Sequence, residues 1–65
     1  MKNKFLKKAI EKLEKLGFEI IGIKIKNIQM ANDGHIKQII YTCYVESLRG
    51  NKVTTNITVT LWDLI

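Results

Sequence analysis

Residues 19–46 read EIIGIKIKNIQMANDGHIKQIIYTCYVE, and the spacing of their apolar side chains decides the fold. Ile21, Ile23 and Ile25 alternate with Gly22, Lys24 and Lys26, the two-residue period of a half-buried strand. The phase then slips, and the apolar residues become Ile28 and Met30. One extra residue around Lys26 and Asn27, a β-bulge, accounts for the slip. Asp33-Gly34 follows, a strong signal for a two-residue hairpin turn. Pairing outward from that turn sets Ile28 opposite Ile39. With the bulge, Ile25 meets Tyr41, Ile23 meets Cys43 and Ile21 meets Val45 on one face. Without it, Lys26 would face Tyr41 there. A register error of one residue would turn every apolar side chain outward.

Downstream, Ser47-Leu48-Arg49-Gly50-Asn51 is a second turn. A two-residue loop would set Val45 against Thr54 and break the pattern. A three-residue loop, Leu48-Arg49-Gly50 with Gly50 left-handed, sets Val45 by Val53, Cys43 by Thr55, Tyr41 by Ile57 and Ile39 by Val59. The third strand then runs from about Lys52 to Trp62, with Thr54, Asn56, Thr58 and Thr60 facing away from the core.

Upstream, Phe5, Leu6, Ala9, Ile10, Leu13 and Leu16 repeat at the three-and-four spacing of one helical stripe. Asn3 reads as the N-cap and Gly17 as a left-handed stop, with Phe18 folding back on Leu13. Glu11 and Lys15 form an i,i+4 pair. The expected fold is α+β: one amphipathic helix on one face of a three-stranded antiparallel meander, αβββ in order 1-2-3. It forms a single domain over residues 1–65.

Composition narrows the function classes. A chain of 65 residues builds a small core, and its one Cys and one His supply neither an internal disulfide nor a four-ligand zinc site. No metal and no cofactor is expected. Cys43, inside a strand, reads as a core hydrophobe. No apolar run approaches the ~18 residues of a membrane span, and the N-terminus lacks the apolar region of a signal peptide. The expected setting is a reducing cytoplasm without membrane contact. Ten of the eleven basic residues are Lys, a bias of AT-rich genomes such as those of low-GC bacteria and their phages. Residues 1–17 hold Lys2, Lys4, Lys7, Lys8, Lys12 and Lys15 against Glu11 and Glu14, leaving +4 of the total +5 on the helix segment.

Three surfaces remain for function. One helix covers one sheet face, so the other stays bare. That face is expected to carry Ile20, Lys24, Lys26, Gln38, Ile40, Thr42, Tyr44, Thr54, Asn56, Thr58 and Thr60, with Ile36 and Trp62 near one end. Threonines and lysines suit a solvated strand face. Ile40 and Tyr44 among hydrogen-bonding groups also suit protein recognition, and the candidate protein-binding residues are Ile40, Thr42, Tyr44, Asn56, Thr58 and Trp62. The second surface is the edge of the third strand, whose run VTTNITVTLW lacks charge, Pro and Gly. Such an edge invites strand addition by a target or a second copy, so a homodimer through this strand is expected. Trp62, Leu64 and Ile65 pack on the helix's first turn or in that dimer interface. The third surface is the basic helix. Lys4, Lys7 and Lys8 near its start, with Lys24 and Lys26, are candidate nucleic-acid contacts of a non-specific, salt-dependent kind.

Catalysis finds little support. His35 sits beside the first turn with no second base or nucleophile at a fixed relation to it, and no phosphate loop or carboxylate pair appears. The opening KAIEKLEKLGFEI (8–20), followed by two more strands, resembles the start of HicA-type toxins and the double-stranded-RNA-binding fold, over about residues 4–20. That resemblance implies an α-β-β-β-α fold and RNA as partner. HicA toxins share a Gly-Ser-His strand motif that supplies the ribonuclease histidine. Here that motif is missing and no closing helix follows, so only a degenerate member is implied. The first expectation is a non-enzymatic protein-binding module, a phage or mobile-element inhibitor or adaptor. A nucleic-acid-binding protein comes second, and a degenerate HicA-like or double-stranded-RNA-binding-like domain third.

Overall fold

The computed structural model describes residues 2–65; Met1 and the Lys2 side chain lie outside the described part. The chain folds as α1 (Lys2–Lys15), β1 (Glu19–Met30), β2 (Ile36–Glu46) and β3 (Lys52–Thr60), then one 3-10 turn over Leu61–Leu64. The three strands form an antiparallel sheet in the order β1-β2-β3, with the helix packed on one face. This is the αβββ arrangement expected from the apolar spacing.

Phe5, Ala9 and Leu13 of the helix are fully buried, against Ile39, Tyr41, Cys43 and Val45 of β2 and Val59 of β3. The core is therefore centred on β2. Leu16 lies past the last contact and is exposed. Helix α1 begins at Lys2, so Asn3 lies inside its first turn rather than capping it. At the other end Gly17 has φ +85°. The Phe18 N–H donates to the Leu13 carbonyl at 3.3 Å and the Gly17 N–H to that of Glu14 at 3.0 Å, the paired bonds of a Schellman stop. Glu11 pairs with Lys8 at 3.3 Å, one turn back, in place of the expected Lys15.

The core-face rows follow the expected register from Ile23–Cys43–Thr55 through Ile25–Tyr41–Ile57 to Ile28–Ile39–Val59. Lys26 is the extra residue of the bulge between Ile25 and Asn27. Two features of the β1–β2 hairpin differ from the sequence reading. A second shift lies between Ile20 and Gly22, so Ile20 meets Val45 and packs against the core. Ile21, expected there, is instead 54% exposed. Two adjacent isoleucines satisfy either alternation, and the bulge decides which one turns inward.

The first turn also differs. The Ala31 N–H donates to the His35 carbonyl at 2.7 Å and the Gly34 N–H to the Ala31 carbonyl at 3.0 Å. Three residues, Asn32-Asp33-Gly34, thus form the loop, with Gly34 at φ +90°. A compensating shift between Gln29 and Met30 restores the register. The second turn is built the same way and as expected. Ser47 donates to Asn51 at 2.8 Å, Gly50 donates to Ser47 at 2.9 Å, and Gly50 has φ +84°.

Strand β3 ends at Thr60, two residues before the expected Trp62. The Asp63 carboxylate stops it by accepting the Thr60 N–H at 2.8 Å and the Thr60 hydroxyl at 3.2 Å. The Asp63 side chain thus caps the start of the 3-10 turn. The molecule is elongated, with extents of 44 × 21 × 14 Å. Its surface of 4846 Å² exceeds the roughly 4,200 Å² of a typical folded monomer of its mass. The excess reflects a thin body with one sheet face left bare.

Candidate functional site

The outer sheet face is built of three-residue rows across β1, β2 and β3. They are Gly22–Tyr44–Thr54, Lys24–Thr42–Asn56, Asn27–Ile40–Thr58 and Gln29–Gln38–Thr60. Small neighbours decide what stands out. A Cβ on Gly22 would lie 3.4 Å from Tyr44 Cδ2, so the glycine lets the ring lie over β1. Thr54 is short on the other side, and Tyr44 remains 40% exposed. The Lys24 ammonium lies 5.8 Å from the ring centroid, a cation–π distance. In the next row the Thr42 hydroxyl donates to Asn56 Oδ1 at 3.2 Å, which fixes the amide. Ile40 is half-buried between Asn27 and Thr58, both exposed.

Of the six candidate protein-binding residues, Ile40, Thr42, Tyr44, Asn56 and Thr58 therefore share one face. Ile20 does not join them; Ile21 does. Ile21 lines a shallow depression of about 230 Å³ with Tyr44, Val53 and Thr54. Gly22, a glycine within a strand, was the available signal for the bulge that places it there. Trp62 stands apart on the 3-10 turn, 82% exposed, and does not pack on the first turn of the helix. It borders an apolar cleft of about 360 Å³ with Gln38, Thr60, Leu61 and Ile65. Leu64 packs against the core, and Ile36 likewise belongs to the core side rather than the outer face.

The candidate nucleic-acid lysines divide. Lys4, Lys7 and Lys8 line one groove of about 300 Å³, shared with Glu11, Asp63 and Leu64. Lys24 is on the outer face, and Lys26 is the exposed bulge residue of β1. Two carboxylates in the groove offset part of its positive charge.

The remaining chemically distinctive side chains are occupied structurally. Cys43 is fully buried with its Sγ 3.9 Å from the Tyr41 carbonyl, and burial pushes its thiol pKa up, away from reactivity. Asp33 holds the first turn by accepting the His35 N–H at 3.1 Å and His35 Nδ1 at 2.8 Å. The backbone bond from His35 is the main reason the Asp33 carboxyl lies below its ordinary pKa. Among the described residues no three His, Cys, Asp or Glu side chains gather as a metal site. No described helix is long and apolar enough to cross a membrane. Comparison with family models, with curated proteins and with solved structures yields no match.

Proposed function

We propose that this chain is a small non-enzymatic protein-binding module, an inhibitor or adaptor of the phage or mobile-element kind, working in a reducing cytoplasm. It captures its partner on the outer sheet face. The observation that carries this reading is the bare face itself. Tyr44 stands over Gly22 beside Ile21 and Ile40, in a field of Thr42, Thr54, Asn56 and Thr58. An apolar centre ringed by uncharged hydrogen-bonding groups is the make-up of a recognition surface. The aromatic ring and Ile40 serve as anchors and the threonines as the rim.

The test is capture. Immobilised protein retains its partner from a host lysate, and Ile40→Ala combined with Tyr44→Ala abolishes retention while the circular dichroism spectrum is kept. Capture unchanged in the double variant excludes the outer face.

One observation favours a second reading. Lys4, Lys7 and Lys8 border one groove at the start of α1, where free helix N–H groups already favour anions. Non-specific nucleic-acid binding through these lysines, helped by Lys24 and Lys26, predicts a gel shift at low salt that fades as salt rises. No shift at low salt ends that reading. The HicA-like alternative lacks a strand histidine: His35 stands in the β1–β2 turn with its ring on Asp33.

A further inference from the structure

We propose that the Lys12–Asp63 ion pair closes the last part of the β3 edge to strand addition, and that the open part, Lys52–Asn56, pairs with the same segment of a second copy. The inference goes beyond the outer-face reading, and its test reads self-association rather than partner capture.

The hydrogen-bond directions of β3 set the argument. Asn51 accepts from Ser47 at 2.8 Å, so Asn51 belongs to a bonded pair with the end of β2. Antiparallel bonding alternates along a strand. Val53, Thr55, Ile57 and Val59 therefore bond to β2, while Lys52, Thr54, Asn56, Thr58 and Thr60 turn their N–H and C=O groups out to the free edge.

Two of those edge groups are taken. Lys12 Nζ donates to the Thr58 carbonyl at 3.3 Å, and the Asp63 carboxylate accepts the Thr60 N–H at 2.8 Å. The two side chains hold each other at 3.0 Å. A cation from α1 and an anion from the 3-10 turn thus fill an acceptor and a donor that an incoming strand would need. Soluble proteins protect edges by such means, and β3 carries no charge of its own beyond Lys52.

The closure selects a register. Two copies of β3 pairing antiparallel about Asn56 would need Thr60 opposite Lys52 and Thr58 opposite Thr54, which the pair forbids. Pairing about Thr54 needs only Lys52, Thr54 and Asn56. It sets Lys52 opposite Asn56 and Val53 opposite Thr55, so no like charges face each other. Val53, 45% exposed, gains cover. The contact is a two-fold one and closes on itself. The other edge, β1, is broken by shifts at Ile21 and Lys26 and does not continue the sheet.

Sedimentation velocity over a concentration series tests this. Lys12→Met frees the Thr58 carbonyl and lengthens the available ladder; Asp63→Ala, made separately, frees the Thr60 N–H and removes the partner that holds Lys12 against Thr58. Each is expected to self-associate at least tenfold more tightly than the unchanged chain. Thr54→Pro removes an edge N–H that β2 does not use, and added to either variant it is expected to return the protein to monomer. A folded variant that associates no more tightly than the parent overturns the proposal. So does association that survives Thr54→Pro. Loss of folding in both single variants also overturns it, because a pair that only shields an edge is not required for the core.

Discussion

The two edges of this sheet are protected in different ways. Strand β1 defends itself: the bulged residues Ile21 and Lys26, with the exposed Lys24, interrupt any regular ladder. Strand β3 pairs with β2 from Lys52 to Thr60 without a shift and carries no charge after Lys52. Its cover comes from elsewhere, from Lys12 on the helix and Asp63 on the 3-10 turn, and reaches only Thr58 and Thr60. An edge defended by its own residues is defended along its length. An edge defended by borrowed side chains is defended only where they arrive.

The largest effect that sharpens this contrast comes from proline at neighbouring positions of β3. Thr55→Pro removes an N–H that bonds to β2 and is expected to cost about 3 kcal/mol in a urea melt. Thr54→Pro, one residue away, removes an edge N–H and is expected to cost less than about 1 kcal/mol. Similar losses for the two would break the alternation on which the edge assignment rests.

On β1 the corresponding pair is Ile20 and Ile21. Ile20→Ala is expected to cost about 1–2 kcal/mol, because the side chain packs beside Val45. Ile21→Ala is expected to stay within about 0.5 kcal/mol while weakening partner capture. The reverse order in thermal melts would place the bulge elsewhere.

The smallest effect is electrostatic. The Thr60 N–H first, and then the Lys12 ammonium, hold the Asp63 carboxyl below its ordinary pKa. Glu11, Lys4, Lys7 and Lys8 border the same groove. A carboxyl lowered on folding contributes stability above its unfolded value, about 3.9, and loses it as pH falls through the lower folded value. Asp63 is partly exposed, so the contribution is small. The stability gap between the parent and Asp63→Asn is therefore expected at pH 7 and expected to vanish in strong acid. A gap that persists in acid assigns Asp63 a role other than charge.

Much of the fold was legible because a period of two, interrupted once at Lys26, admits a single register between Ile23 and Val59. Gly17, Gly34 and Gly50 marked the reversals, and all three adopt positive φ. The size of the first loop was not legible. Asp33-Gly34 fits a two-residue turn, and only the bond between Ala31 and His35 makes it three. Ile20 and Ile21 are the same residue type side by side, so spacing could not say which faced the core. The outer face was readable as a set, since Ile40, Thr42, Tyr44, Asn56 and Thr58 follow from the register alone. The closure of β3 was not, because Lys12 and Asp63 lie far apart in the chain and carry no local pattern.

Amide hydrogen exchange along β3, at a dilution where the protein is monomeric, tests the divided edge most directly. A closed end and an open start require Thr54 and Asn56 to exchange fast, and Thr60 to exchange slowly alongside Thr55, Ile57 and Val59. Thr60 exchanging as fast as Thr54 would contradict it.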